Sequence, residues 1–236
     1  MYRTGTKKFY QHASIESERD GYAVLLDGKA VKTPAGLPLC VESKPLAEKL
    51  AEEWIEQSET IKPNTMPMTA LSCTMLDRVI PNLPAIKSNL MAFVETDMLC
   101  YRAEEPEDLT QRQFIAWQPL IDWAANTYDA PLVVTNGILP VPQQQKSIDA
   151  LAGVMDNLNH GEITALSTVT PLAGSLVVGL ALLAGRLDVD QAIAVIQLDE
   201  DYQNEKWGSV DEAQERQQNI RREIQSSAVF IELLNG

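Results

Sequence analysis

The stretch GYAVLLDGKAVKTPAGLPLCVES, residues 21–43, carries the clearest β signal in the chain. Residues 24–26 and residues 29–31 have extended character, and they flank the dipeptide Asp27-Gly28. A type I′ hairpin turn needs positive φ at both central residues, and Asp-Gly tolerates this conformation well. We therefore predict a β-hairpin here, with Asp27 and Gly28 as structural residues.

A second turn signal at residues 33–36, TPAG, predicts a third strand over residues 37–41. The resulting small antiparallel sheet has one face that another element must cover. A helix that begins after the N-cap residue Ser43 is suited to this role. Its large apolar side chains recur every four residues and form one stripe: Leu46, Leu50 and Trp54. We predict that Trp54 is a structural residue, buried between this helix and the sheet.

Helical periodicity dominates the rest of the chain, after the boundary that Pro81 and Pro84 indicate. The predicted fold class is α+β. A small N-terminal mixed α/β domain with antiparallel hairpins spans residues 1–82, and a larger all-helical C-terminal domain spans residues 83–236. Within the second domain, residues 172–187 are apolar nearly all round, which predicts one central buried helix.

Charge is distributed unevenly along the 236 residues, whose formal net charge is −14. Residues 1–100 carry 11 basic and 13 acidic side chains, whereas the remainder carries 8 basic and 20 acidic ones. Such a field repels phosphate backbones and anionic membranes, so neither nucleic acid nor a membrane is expected as a partner. A basic protein surface is a better match for the second part of the chain.

The cysteines and the chain start predict a soluble, intracellular protein. Cys40, Cys73 and Cys100 are odd in number and far apart, which is typical of buried thiols in a reducing compartment. The basic start lacks the apolar core of a secretory signal. The apolar run at residues 172–185 is shorter than the ~20 residues that span a bilayer.

Motifs for catalysis and cofactor binding are missing from the sequence. Neither a phosphate-binding GxxxxGK[ST] loop nor a GxGxxG turn after a strand is present. The two histidines, His12 and His160, lie in polar stretches, and no cysteine pair has metal-ligand spacing. We predict no catalytic residues, no metal, no cofactor and no small-molecule substrate.

The stretch QLDEDYQNEKWGSVDEAQER, residues 197–216, raises the main functional question. On one helix over residues 189–206, Asp201 and Glu205 fall on the solvated face, whereas Asp199 and Glu200 fall within the apolar arc. A carboxylate in that position is paired with an arginine, lies on a shorter helix, or borders a surface that a partner covers. The alternative function is a hydrolase or other enzyme that uses the Asp199/Glu200 region as acid and base in an inter-domain pocket.

Five blocks, in order along nearly the whole chain, resemble one protein family. They are KKFY (7–10), GYAVLLDGKAVKTPAGLPL (21–39), LAEKLAEEWIEQSETIKPNTMPMT (46–69), TDMLCYRAEEP (96–106) and LDEDYQNEKWGSVDEA (198–213). The family is the assembly chaperone of the F(1) sector of ATP synthase that binds the alpha subunit. Position 202 is tyrosine where the resemblance leads one to expect tryptophan.

The resemblance implies a non-catalytic protein without a cofactor, which binds the unassembled alpha subunit and promotes formation of the alpha/beta head. It implies a bacterial, cytoplasmic member of a family that also occurs in the mitochondrial matrix. The family depends on an acidic residue in its C-terminal region, which the matching block places at Glu200, with Glu212 as the second candidate. We therefore predict four partner-binding residues: Asp199, Glu200, Trp207 and Glu212.

Overall fold

The computed structural model describes residues 6–137, 139–208 and 211–236, except for the side chains of residues 211–213. The chain forms two compact units. Met1–Leu83 and Val229–Gly236 make up the first unit, and Pro84–Ala228 make up the second. A small antiparallel sheet lies in the first unit and most of the helices lie in the second, so the α+β fold class is confirmed.

The sheet of the first unit contains strands β1 (Ala13–Glu18), β2 (Gly21–Leu26), β3 (Lys29–Ala30) and β4 (Cys40–Val41). Strand β2 pairs antiparallel with each of the other three strands. The strand that the sequence predicts over residues 37–41 corresponds to β4 and is shorter than predicted. Pro38 forms only an isolated bridge with Lys32, and the pairing with β2 begins at Cys40. Strand β1 was not predicted from the sequence, and it is the longest of the strands that pair with β2.

The turn between β2 and β3 has positive φ at both central residues, 48° at Asp27 and 76° at Gly28. This conformation matches the right-handed twist of the flanking strands. The Asp27 carboxylate also accepts backbone hydrogen bonds from Gln11 and His12, at distances down to 2.9 Å. These bonds lower the pKa of Asp27, with the bond from His12 as the largest cause. The same aspartate thus shapes the turn and holds the segment that leads into β1.

Helix α1 (Lys44–Ile55) covers the sheet and brings Leu46, Leu50 and Trp54 into the core of the first unit. Ser43 caps the helix by accepting a hydrogen bond from the Leu46 amide, as its position before an apolar-periodic segment predicts. The Trp54 side chain is only 1% exposed. Tyr10 packs edge-on against it at 5.7 Å between ring centroids and donates its hydroxyl hydrogen bond to the Trp54 carbonyl.

A buried carboxylate joins α1 to helix α2 (Pro67–Thr74). Glu53 accepts hydrogen bonds from the amides of Met68 and Thr69 at 2.7 and 2.8 Å, and these groups belong to the first turn of α2. Burial raises the pKa of Glu53, and the hydrogen bonds from α2 oppose that shift. A π-helical turn, Met75–Val79, follows α2 directly.

The second unit is mainly helical, with a two-stranded parallel pair of β5 and β6. Its elements are α3 (Leu83–Glu95), β5 (Tyr101–Arg102), α4 (Glu107–Tyr128), β6 (Thr135–Asn136), α5 (Gln145–Asn157), α6 (His160–Ala173), α7 (Leu176–Leu183), α8 (Val189–Ile196), α9 (Leu198–Trp207) and α10 (Asp211–Asn235). The last residues of α10 belong to the first unit, where Phe230 joins the core.

The single central helix that the sequence predicts over residues 172–187 is wrong. Helix α6 ends at Gly174, whose φ of 62° is left-handed, and Ser175 caps α7 by accepting from the Val178 amide. Glycine after a helix and serine before one are the usual stop and start residues, so the break has a local cause. Helix α7 is nevertheless buried along most of its length.

The buried carboxylate of Asp97 contacts the first turn of α7. Its Oδ1 accepts from the Leu99 amide, and its Oδ2 accepts from the Val177 amide of α7. Burial raises its pKa to about 6, although hydrogen bonds from Ser175 and from these amides lower it. Between pH 3.8 and about 6 the folded chain therefore holds this proton more tightly than the unfolded chain does. It follows that the contribution of Asp97 to the free energy of unfolding falls as pH rises through this window.

We expect Asp97→Asn to remove this pH dependence, because asparagine does not titrate. Urea denaturation at a series of pH values measures the free energy of unfolding of both proteins. The difference, wild type minus variant, should fall by about 1 kcal/mol per pH unit between the two pKa values. Parallel curves for the two proteins would show that Asp97 titrates normally.

Candidate functional site

Helix α8 ends at Ile196 and helix α9 begins at Leu198. Gln197 separates them, because its backbone angles, φ −94° and ψ 4°, are not helical. The first turn of α9 therefore holds three carboxylates, Asp199, Glu200 and Asp201. Negative charge at a helix N-terminus is stabilised by the unpaired amides of the first turn. One continuous helix over residues 189–206 is wrong, and the apolar arc of α8 does not extend to Asp199 and Glu200.

Glu200 forms an ion pair with Arg216 of α10, with 2.6 Å between Oε2 and Nη2. The Glu200 side chain is 23% exposed, whereas the Arg216 side chain is 63% exposed. A pair in which one member is largely hydrated is screened, and it contributes at most about 1 kcal/mol to stability. The Glu200 carboxylate is therefore half-buried and held in position, but its present partner is an accessible and replaceable cation.

Asp199 belongs to a different network, which joins α9 to α4. Its Oδ1 accepts from Nε2 of Gln113 at 2.8 Å. Gln113 in turn accepts from the Ala103 amide through its side chain and from Nη1 of Arg102 through its carbonyl. Burial lowers the pKa of the Arg102 guanidinium, and the negative charge of Asp199 opposes that shift. We interpret Asp199 as a positioning group whose first partners are within the protein.

Tyr202 anchors α9 on α4. Its ring is 3% exposed, and its hydroxyl donates to Oδ1 of Asp108 at 2.7 Å. This bond lowers the pKa of Asp108 and raises that of Tyr202. Arg112 and Lys206 lie over the ring at 5.2 and 5.1 Å from its centroid, and they pair with Glu205 and Asp108 respectively. Tyrosine at this position thus supplies a hydrogen bond that fixes the acidic helix.

Trp207 is 78% exposed, at the last turn of α9. Helical periodicity counted from Val189 predicts that Trp207 lies on the apolar side of one long helix, and that prediction is wrong because the helix is broken at Gln197. Tryptophan combines a large apolar area with a polar N–H group and is enriched at protein interfaces, so this exposed side chain is available for contact with a partner. The side chain of Glu212, the second acidic candidate, lies outside the described residues.

The structure brings Asp199, Glu200 and Trp207 together on one helix, but it gives them different surroundings. Asp199 is engaged with α4, Glu200 with α10, and Trp207 is exposed. Sequence reasoning did not identify Gln113 and Arg216 as the partners of these carboxylates. A glutamine or an arginine on an amphipathic helix is a weak indication of a partner for a carboxylate, because most such side chains are solvated.

A cleft of about 600 Å³ lies beside Asp199 and is formed by residues of the second unit alone. Its lining includes Arg102, Glu104, Gln113, Asp199 and Gln203, with no histidine or cysteine. Among the described residues, no group of three histidine, cysteine, aspartate or glutamate side chains has a geometry that could hold a metal ion. Within the same residues, none of the helices combines the length and the apolarity that a membrane crossing requires.

Comparison with known proteins agrees with the resemblance seen in the sequence. The family model described as ATP12 chaperone protein matches residues 7–125. The crystal structure of Atp12 from Paracoccus denitrificans is 37% identical and has a TM-score of 0.94, covering 97% of this chain and 98% of that one.

Two yeast proteins are similar over almost the same extent. Protein atp12, mitochondrial, of Schizosaccharomyces pombe is 24% identical over 95% of this chain and 81% of its own length. The protein of the same name in Saccharomyces cerevisiae is also 24% identical, over 95% of this chain and 83% of its own length. The chain therefore belongs to the ATP12 chaperone protein family.

Proposed function

We propose that this chain binds the unassembled alpha subunit of F(1) and holds it until the alpha/beta head of ATP synthase forms. The general part of this statement rests on the family: the chain is an ATP12-type assembly chaperone of ATP synthase, and it is not an enzyme. The choice of the alpha subunit, and the residues that bind it, are our proposal.

The observation that carries the proposal is the acidic helix α9, with a half-buried Glu200 and an exposed Trp207 on the same element. Charged and aromatic side chains in this combination are typical of protein interfaces, where an aromatic anchor is surrounded by polar groups. The second part of the chain carries 20 acidic and 8 basic side chains, which attract a client surface rich in lysine or arginine. We place the docking surface at Glu200 and Trp207, with Asp199 as the residue that positions α9 on α4 and Glu212 as a further candidate from the resemblance.

The Glu200–Arg216 pair suggests how the surface takes up a basic client group. Glu200 keeps its orientation because less than a quarter of its side chain is exposed, whereas Arg216 is largely hydrated and moves at little cost. A client lysine or arginine can displace Arg216 and keep the Glu200 charge compensated throughout. The exchange avoids an unpaired, half-buried carboxylate, which would be costly.

This exchange makes a prediction that separates docking from a structural role. We expect Glu200→Gln to weaken binding of the free alpha subunit by about 2 kcal/mol, mainly through faster dissociation. Arg216→Gln should leave binding unchanged or make it tighter, because it removes the competing cation. Both variants should lose at most about 1 kcal/mol of folding stability, as expected for a screened pair. The measurements are surface plasmon resonance with purified alpha subunit and a thermal melt of each variant.

Asp201→Asn and Glu205→Gln are the matched controls, because both carboxylates are on α9 and exposed. Each control should lose at most about 1 kcal/mol of binding free energy. If Glu200→Gln and Arg216→Gln weaken binding equally, the pair itself supports the surface and Glu200 is not the client anchor. If Glu200→Gln binds as tightly as its controls, the proposed site is wrong.

The location of the protein follows from the same proposal. The yeast relatives are named mitochondrial proteins, whereas the similar protein of known structure comes from Paracoccus denitrificans and is 37% identical to this chain. We propose that this chain works in the cytoplasm of a bacterium, where the alpha subunit is made and assembled. Fractionation of the source cells, with antibody detection of the chain and of the alpha subunit, tests this part.

A further inference from the structure

The first unit contains an apolar groove of about 710 Å³, well away in sequence from the acidic helix α9. This volume lies within the range of about 300–1,000 Å³ that is usual for ligand pockets. Its lining is mainly hydrophobic and includes Val31, Trp54, Ile61, Pro63, Met66 and Ala70. The groove opens beside the turn at residues 33–36 on one side and beside α2 and the π-helical turn on the other.

The two walls of the groove are tied together by Asp77 of the π-helical turn. Oδ1 of Asp77 accepts from the Thr33 hydroxyl at 2.6 Å, and Oδ2 accepts from the Ala35 amide at 3.0 Å. These bonds hold the turn at a fixed position against the helix, so the groove is already formed in the free chain. Single π-helical turns are rare, and they occur frequently at functional sites. Here the π-turn places both Asp77 and Arg78 at the groove.

The rim of the groove carries two exposed cations, Lys32 and Arg78. In the part of the chain that the structure describes, neither side chain forms an ion pair. The one carboxylate of the lining, Asp77, has its two oxygens engaged by the turn. The groove therefore offers positive charge beside an apolar surface, in a protein whose formal net charge is −14.

We propose that this groove is a second docking site, which takes an apolar segment of the client that carries a carboxylate beside its apolar side chains. The apolar side chains fill the groove against the partly exposed Pro63, Ala70 and Cys73, and the carboxylate meets Lys32 and Arg78. The chemistry of the bound segment is inferred from charge complementarity. The identity of the client rests on the proposed function. This site is opposite in charge to the acidic surface of α9, so one client with both kinds of patch is bound at two separate places.

The test uses the full-length chain with two groove variants. Lys32→Glu/Arg78→Glu reverses the rim charges at exposed positions, and Ala70→Trp fills the groove. We expect the charge reversal to weaken binding of free alpha subunit by about ten-fold or more, and Ala70→Trp by about a hundred-fold. The matched controls are Lys7→Glu/Arg19→Glu, which changes the net charge equally at exposed positions outside the groove, and Ala92→Trp on an exposed face of α3. Both controls should bind like the wild type.

A second probe tests the groove without the client. Anilinonaphthalene sulfonate combines an apolar ring system with an anionic group, and its fluorescence should rise with the wild-type chain and with both controls. The signal should fall at least about five-fold with each groove variant, because each removes one half of the recognition. Differential alkylation adds a local readout, since Cys73 lines the groove and Cys40 does not. Bound alpha subunit should protect Cys73 and leave Cys40 unchanged.

The two arms separate failure of the groove from failure of the proposed function. If the wild-type chain binds alpha subunit and both groove variants bind it equally well, the second docking site is wrong and the proposed function stands. If the wild-type chain does not bind alpha subunit, the proposed function is wrong, and the dye decides the groove alone. Dye fluorescence that is the same for the wild type and for both groove variants overturns the inference in either case. Should Ala70→Trp fail to fold, the charge reversal at exposed residues still gives the decision.

Discussion

Replacing Trp54 with alanine is expected to lower the free energy of unfolding by about 3–5 kcal/mol, the usual cost of a large-to-small change in a core. Trp54 is 1% exposed and belongs to the core that α1 forms with the sheet. The substitution removes the ring against which Tyr10 packs and leaves a cavity beneath the groove of the first unit. Urea denaturation followed by circular dichroism measures the change.

Trp207→Ala is the matched control for this prediction, because it makes the same chemical change at a side chain that is 78% exposed. It should alter the free energy of unfolding by at most about 0.5 kcal/mol, as surface substitutions usually do. Equal melting temperatures for the wild type and Trp54→Ala would contradict the packing of α1 on the sheet.

The second large prediction concerns the effect of Trp207→Ala on binding. We expect Trp207→Ala to weaken the complex with free alpha subunit by about 3 kcal/mol, within the range for an aromatic residue at the centre of an interface. The indole is exposed in the free chain, so its burial by a client would add apolar contact without a cost in folding stability. Dissociation rates from surface plasmon resonance should account for most of the loss.

Two further variants distinguish a specific contact of Trp207 from a general loss of apolar surface. Trp207→Phe should recover part of the affinity, because an aromatic ring still supplies apolar contact to the client. Phe114→Ala changes another exposed aromatic residue, on α4, and should leave binding within about 0.5 kcal/mol of the wild type. Equal losses from Trp207→Ala and Phe114→Ala would indicate a general loss of surface hydrophobicity rather than a specific anchor at Trp207.

The local signals in the sequence predicted the hairpin and helix α1 well, because both depend on neighbouring residues. Asp27-Gly28 has the positive φ values that its turn requires, and Ser43 caps α1. Strand β1 was missed because its sequence, ASIESE, is mostly polar and exposed. It lies at the edge of the sheet, where charged side chains are common and the apolar alternation is weak.

The helix breaks in the second unit had local signals that the apolar pattern concealed. Gly174-Ser175 combines a helix stop with a helix start, and the acidic run Asp199-Glu200-Asp201 is typical of a first helical turn. The apolar pattern continues through the first break because α6 and α7 are both extensively buried, whereas α9 after the second break buries only Tyr202. The break at Gln197 is the one that matters for function, since it determines where Glu200 and Trp207 lie.

The partners of the acidic residues were beyond the reach of periodicity. Glu200 pairs with Arg216 and Asp199 with Gln113, which are 16 and 86 residues away in the chain. Such pairs depend on how α4, α9 and α10 pack, and that packing is a tertiary property. The sequence left open whether Glu200 is paired with an arginine, lies on a shorter helix, or borders a surface that a partner covers. In the free chain Glu200 is paired with Arg216, although this pair is largely exposed on the arginine side, and the helix from Val189 ends sooner than predicted; the third description is the proposal.

The most direct test of the account is a binding experiment with two forms of the same client. Purified chain is mixed with free alpha subunit, and separately with assembled F(1), and each mixture is resolved by size-exclusion chromatography with light scattering. We predict a stable complex with the free alpha subunit and none with assembled F(1), because the surfaces that the chaperone covers are then occupied. Absence of a complex with free alpha subunit, or equal binding to assembled F(1), would contradict the proposed function.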